Sequence, residues 1–266
     1  MLRIQNLSKS FNVGTENEIN LFNRFNLNIE EHKCTAIIGS NGCGKSTLLN
    51  MIAGSVPIDS GEILLNGEDI SKLKEEERAI HIGRVYQDPS LGVSPALTIL
   101  ENMSLADKKG ERFGLRKLIR KNNIDRYEEI LKTLGLGLEN KLMTKVKFLS
   151  GGQRQSLSLL MAAMKHPDLL LLDEHTAALD PKTSHVVMKK TKELLNKYKI
   201  TTIMISHNMK DAIEYSDRII MLDKGQIALD RKSSDVTEEE LLAIYRAKLE
   251  EQIAWLMHNV QFTVHN

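Results

Sequence analysis

In Gly39-Ser-Asn-Gly-Cys-Gly-Lys-Ser-Thr47 the first eight residues fit the pattern G-x-x-x-x-G-K-[ST]. An apolar run, Cys34-Thr-Ala-Ile-Ile38, precedes them and a helical pattern, Ser46 to Ala53, follows, which is the context that a phosphate-binding loop requires. Gly39, Gly42 and Gly44 let the backbone around Ser40, Asn41 and Cys43 turn its N–H groups toward phosphate oxygens, and the helix start adds positive partial charge. Lys45 then reaches the β- and γ-phosphates, Ser46 offers a hydroxyl to Mg²⁺, and Thr47 completes the set. The loop alone leaves a kinase, a GTPase and a transport ATPase open.

A second chemical feature is Leu169-Leu-Leu-Leu-Asp173-Glu174. Four leucines describe a buried strand, and its carboxyl end is where open α/β sheets place ligands. Asp173 is a candidate to hold Mg²⁺ through water, and Glu174 a candidate general base for the attacking water.

The elements that must carry these residues alternate between strand and helix. Strand-like runs fall at Leu2–Gln5, Phe25–Ile29, Cys34–Ile38, Glu62–Leu65, Gly83–Tyr86, Leu169–Leu172, Thr201–Ile205 and Arg218–Leu222. Asn66-Gly67 and Asp223-Lys-Gly225 read as tight turns. From Ser94 to about Lys165 the periodicity becomes helical, with Tyr127, Ile130, Leu131 and Leu134 at i, i+3, i+4 and i+7. The predicted fold is α/β: a P-loop NTPase core with a mostly parallel sheet, an N-terminal antiparallel β subdomain and an inserted α-helical subdomain. Residues 1–93 and 166–266 are assigned to the core and 94–165 to the helical insertion. Thr237-Glu-Glu-Glu240 reads as a capping box, with Val236 and Leu241 as a hydrophobic staple, and it opens a last helix striped by Leu241, Tyr245, Leu249, Ile253 and Leu256.

Leu149-Ser-Gly-Gly-Gln153 lies shortly before the acidic strand and opens a helix-like run to Lys165. With this segment the sequence resembles the ATP-binding-cassette (ABC) ATPase family. The loop at 39–47, Gln87, Leu149–Gln153, Asp173-Glu174, Ala178-Leu-Asp180 and His207 stand in the family's order, over about residues 1–230. The resemblance implies an ATPase that binds ATP and Mg²⁺ between two copies facing head to tail, each nucleotide held by one copy's phosphate loop and the other's Ser150, Gly151, Gly152 and Gln153. It implies that Gln87 touches Mg²⁺ or water and links the site to the helical subdomain, and that His207 contacts the γ-phosphate. Asp180 would lie at the dimer contact, and Phe11 would stack on adenine.

His175 departs from the family, where proline is common at this position, and resembles a branch linked to bacterial uptake of amino acids, including aromatic ones. The stretch Gly14-Thr-Glu-Asn-Glu18 points the same way. His175 could equally fill the proline's space. His32-Lys33 stands where many members have a glycine-containing turn and is expected to alter only a surface turn.

Composition bounds the remaining choices. In 266 residues, 41% are hydrophobic and 27% charged, enough for a sizeable core. Lys+Arg total 36 against 35 Asp+Glu, and a formal charge of +1 argues against a nucleic-acid partner. Two cysteines, Cys34 and Cys43, exclude a disulfide framework and favour a reducing compartment. No segment reaches the ~18 apolar residues of a membrane helix, so the expected location is cytoplasmic, at the inner face of the membrane through a separate permease. An importer would also use an extracytoplasmic binding protein. An exporter ATPase, a regulatory ABC ATPase without a permease and a small-molecule kinase are the alternatives. The basic stretch Lys108 to Lys121 reads as a solvated amphipathic face, or as a contact with a permease or anionic lipid.

Overall fold

The computed structural model describes residues 1–111, 118–248 and 250. Its sequence divides into two sheets. The first joins β1 (Leu2–Phe11), β2 (Ile19–Ile29), β4 (Ser60–Leu65) and β5 (Glu68–Asp69), all antiparallel, in the order β2-β1-β4-β5. β1 and β2 extend well beyond the alternating stretches at Leu2–Gln5 and Phe25–Ile29. Register shifts after Ile4 and again near Lys9 interrupt their pairing, and Asn6 and Arg24 adopt positive φ there. Such bulges break the period of two, which hides the rest of each strand from a periodicity reading.

The second sheet runs β10-β9-β3-β8-β7-β6, built from β3 (Cys34–Gly39), β6 (Ile82–Val85), β7 (Leu169–Asp173), β8 (Thr201–Ile205), β9 (Arg218–Asp223) and β10 (Gln226–Lys232). Every neighbouring pair is parallel except β9 with β10. The continuous apolar runs in these strands follow from burial on both faces. Cys34, Ala36 and Ile38 point into one core while Ile37 points into the other; Leu170 and Leu172 part from Leu169 and Leu171 in the same way. One core lies between the two sheets and around α1 (Lys45–Ala53). The other lies under the helices of the opposite face. The β9–β10 hairpin turns through Lys224 and Gly225, both at positive φ.

Beyond α2 (Glu75–Arg78), the chain adds α3 (Ile99–Asp107), α4 (Ile124–Lys132) and α5 (Gly151–Ala163) before β7. Tyr127, Leu131 and Leu134 are buried in the helical face's core and Ile130 packs against it, as their spacing predicts. α6 (Pro181–Tyr198) and α7 (Met209–Tyr215) cover the same face of the sheet. The last helix, α8, is described over 238–248. Its capping box forms, with Thr237 N–H donating to Glu240 Oε2 at 2.9 Å and Glu240 N–H to Thr237 Oγ1 at 3.2 Å. Val236 and Leu241 are buried in the same core, and the stripe positions Leu249, Ile253 and Leu256 lie outside the described residues.

Two local expectations resolve with more detail. His32 is exposed in a surface turn but adopts φ +58, held by its N–H on Thr201 Oγ1 at 3.0 Å and its Nδ1 on the Lys199 carbonyl at 2.5 Å. These contacts offset the strain that a glycine would avoid. In the basic stretch, residues 112–117 lie outside the described residues. Lys109, however, is half-buried, donates to the Ile82 carbonyl at 3.0 Å, and has its pKa pushed down by burial, so it does not belong to a solvated face.

Candidate nucleotide-binding and hydrolysis site

β3 delivers the phosphate loop at its carboxyl end, and Gly44 caps α1 in a left-handed conformation at φ 109. A Cβ at Gly44 would meet Phe22 Cζ at 2.7 Å, and one at Gly39 would meet the Leu222 carbonyl oxygen at 2.2 Å. Both positions therefore need glycine for conformation and for space. Cys43, Gly44 and Lys45 are buried, Ser40 and Thr47 half-buried, and Asn41, Gly42 and Ser46 exposed. Lys45 Nζ donates to the Gly39 and Ser40 carbonyls, each at 2.9 Å, so the ammonium sits inside the loop. Burial pushes the Cys43 thiol's pKa up, which leaves it protonated and poorly nucleophilic.

β7 brings the acid pair beside this loop. Ser46 Oγ lies 3.5 Å from Asp173 Oδ1, joining residues that are distant in sequence. Burial pushes the Asp173 carboxyl's pKa up; Arg84 opposes that shift and Glu174 reinforces it. Glu174 occupies φ +47, and its N–H reaches the Ile205 carbonyl at 3.3 Å. Its Oε1 meets His207 Nε2 at 2.5 Å. β7 and β8 are neighbours with Asp173 opposite Ile205, so the loops that leave them hold Glu174 and His207 side by side.

Ser46 and Asp173 are hard oxygen donors that converge, and the donor set suits Mg²⁺, which binds through one or two protein oxygens together with phosphates and water. Among the described residues no group of three or more His, Cys, Asp or Glu side chains could form an all-protein metal cage. Gln87 is exposed two residues beyond Val85, whose register partner Leu172 directly precedes Asp173. It stands at the same sheet edge as the acid pair.

Other predicted residues are held elsewhere. Ser150 caps α5: its Oγ accepts from Gln153 N–H at 3.3 Å, and its own N–H donates to Gln153 Oε1 at 3.2 Å. Ser150 and Gly151 are exposed, whereas Gly152 is buried where a Cβ would lie 2.3 Å from Thr183 Cγ2. Gln153 Nε2 also donates to the Leu136 carbonyl at 3.4 Å. Within one chain the segment 150–153 thus bonds to its own turn and to Leu136 and packs on α6, not on the phosphate loop. Asp180 caps α6, accepting from Thr183 N–H at 3.1 Å, and the Thr183 hydroxyl together with that N–H holds its pKa below the ordinary carboxylate value. Phe11 ends β1 half-buried and outside both cores, with Lys9 Nζ 5.3 Å from its ring centre. His175 is 2% exposed and bonds Thr191 Oγ1 through Nε2 at 3.1 Å, so it fills an interior position.

Sequence reasoning missed Arg84. From β6, its Nη2 lies 3.6 Å from Asp173 Oδ2 and 2.5 Å from Asn50 Oδ1, and its Nη1 lies 3.3 Å from Ser55 Oγ. The Arg84 guanidinium also sits 4.5 Å from the centre of the Tyr86 ring. The available signal was a charge in an otherwise apolar strand beside the acidic one. A cleft of about 980 Å³ runs from Gly39 past Glu174 and His207 to Tyr245; the phosphate loop contributes only Gly39 to its wall.

A parallel sheet with this loop at the end of β3, an acid pair at the end of β7 and a serine-capped Gly-Gly helix start defines an ATP-binding-cassette ATPase. The chain belongs to the ABC transporter family, whose pattern it matches over residues 22–177. It is similar to a tyrosine transport ATP-binding protein of Clostridioides difficile (strain R20291), at 47% identity over 245 residues, or 91% of this chain and 97% of the relative. A phosphonates import ATP-binding protein of Ruegeria sp. (strain TM1040) is 35% identical over 251 residues, or 92% and 94% of the two chains. Among solved structures, an ATP-binding cassette in a dimeric post-hydrolysis state bound to ADP and Pi matches with a TM-score of 0.74 at 31% identity. That match covers 88% of this chain and 99% of the solved one. The chain is an ATP-binding ATPase of the transporter type. Among the described residues no helix is long and apolar enough to cross a membrane.

Proposed function

We propose that this chain hydrolyses ATP to drive import of a small solute of the amino-acid class, working as two copies docked on a membrane permease at its cytoplasmic face. The Clostridioides difficile relative, named for tyrosine transport, supports the solute class, and the import naming of the Ruegeria relative supports the direction. An extracytoplasmic binding protein would deliver the solute.

In this reading the Gly39–Thr47 loop and the start of α1 wrap the phosphates, and Lys45 exchanges the Gly39 and Ser40 carbonyls for β- and γ-phosphate oxygens. Ser46 and Asp173, with Gln87, would hold Mg²⁺, which would neutralise charge on the phosphates. Glu174 takes the proton of the attacking water. His207 orients that carboxylate through Nε2 and faces the γ-phosphate. Ser150, Gly151, Gly152 and Gln153 of the second copy would close the site, which agrees with their lack of contact with their own phosphate loop. Asp180 would line the contact between copies, and Phe11 would take the adenine.

The observation that carries the proposal is the 2.5 Å pairing of Glu174 with His207 at the ends of adjacent strands. The test uses membrane vesicles holding the chain and its permease, with ATP supplied on the chain's side. ATP-dependent accumulation of labelled tyrosine, lost with Glu174→Gln, is expected. Vesicles that hydrolyse ATP but accumulate no labelled amino acid would overturn the solute class, and efflux would overturn import.

A further inference from the structure

We propose that His175 is a positioning residue for Glu174, acting through a buried hydrogen bond that ties the start of the β7–α6 loop to Thr191 on α6. The inference rests on the reading of Glu174 as general base. Glu174 adopts φ +47, a conformation that side chains with a Cβ hold only when their surroundings impose it. On its N-terminal side the restraint is β7 itself, and the Glu174 N–H donates to the Ile205 carbonyl at 3.3 Å. On its C-terminal side the next residue is His175, which is 2% exposed and reaches Thr191 Oγ1 at 3.1 Å.

The direction of that bond is fixed by its partner. Thr191 Oγ1 gives its own proton to the Val187 carbonyl at 2.9 Å, so it must accept from His175 Nε2–H. Nε2 therefore carries a proton, and burial, which pushes the ring's pKa down to about 4, keeps the imidazole neutral. An arginine or lysine could not serve without burying a charge.

α6 is a firm anchor. Asp180 caps it, and Val187, Met188, Leu194 and Leu195 bury its inner face. His185 on α6 also pairs with Tyr215 OH on α7 at 3.0 Å, and α7 starts directly after the His207 loop. One helix thus braces both partners of the Glu174–His207 contact. Turning the Glu174 backbone toward an ordinary conformation would drag His175 off Thr191 and move the carboxylate away from His207.

The test measures turnover, ATP affinity and unfolding of the full chain for His175→Ala, Thr191→Val, the double variant, and the conservative pair His175→Gln and Thr191→Ser. Loss of one bond between neutral groups at a positioning contact predicts a kcat reduced roughly tenfold with unchanged ATP affinity. The two losses should be non-additive, because either breaks the same tie. Glutamine at 175 and serine at 191 should restore most of the rate, since each keeps the required donor or acceptor. Wild-type kcat in Thr191→Val, or equal loss of rate and affinity across all variants, overturns the proposal. Thr191→Val keeps the side chain's shape and so keeps the test alive should His175→Ala fail to fold. The two readings separate cleanly: wild-type turnover in Glu174→Gln removes the general base and the anchor with it. An inactive Glu174→Gln beside an unaffected Thr191→Val removes the anchor alone.

Discussion

Glu174 and His207 are 33 residues apart in sequence and their side chains meet at 2.5 Å, because β7 and β8 lie side by side, β7 ending one residue before Glu174 and β8 two residues before His207. The carboxylate is only 14% exposed while the imidazole is 44% exposed, so the proposed base is sheltered and its partner faces outward. Glu174→Gln keeps the shape and removes the base. ATP binding should persist while phosphate release falls ~100-fold or more, and ATP-bound pairs should accumulate. Single-turnover hydrolysis and size-exclusion chromatography check both halves.

Lys45 supplies the loop's buried ammonium, held by two carbonyls at 2.9 Å. Lys45→Ala removes the charge proposed to meet the terminal phosphates. ATP affinity should fall at least ~10-fold, the cost of a charge-assisted contact of about 1.5–3 kcal/mol. Calorimetric titration with ATP is the measurement, and unchanged affinity would remove the loop from the site.

Ser150 is exposed at the start of α5 and bonded only to its own helix turn. Ser150→Arg should leave one-chain ATP binding intact while blocking the closed pair. Introduced into the Glu174→Gln background, it should return the ATP-dependent pair to single copies in sedimentation. A pair that survives would contradict the shared site.

His175 also gives stability a pH dependence with a definite sign. Its pKa is about 4 in the folded chain against 6.5 ordinarily, so the unfolded chain binds the proton first as pH falls. The contribution is complete above about pH 6.5 and is lost progressively toward pH 4, by up to about 3 kcal/mol. Urea unfolding from pH 7 to 4.5 should show a steeper loss for the wild-type chain than for His175→Gln.

The parts legible in the sequence were those whose chemistry needs adjacent residues. The phosphate loop, the acids after four leucines and the Thr237 capping box each lie within a short window. Strands buried on both faces announced themselves by unbroken apolar runs. What stayed hidden depends on pairs brought together by the sheet. Arg84 reaches Asp173 only because β6 and β7 are neighbours, and the Ser46–Asp173 approach spans 127 residues. The extension of β1 and β2 was masked by bulges, and the burial of Lys109 by its charge.

Gly225 joins three parts of the fold. Its N–H donates to the Cys43 carbonyl at 3.0 Å, and a Cβ there would stand 1.6 Å from the Leu21 carbonyl oxygen. The hinge of the β9–β10 hairpin, the backbone of β2 and the floor of the triphosphate cradle therefore share a single three-way joint. A tilt of the N-terminal sheet, as when a purine settles against it, would press on the cradle's backbone through this joint before any side chain moved. On the reading proposed above, with Phe11 taking the adenine, base contact and triphosphate grip would be geared to one another through backbone alone.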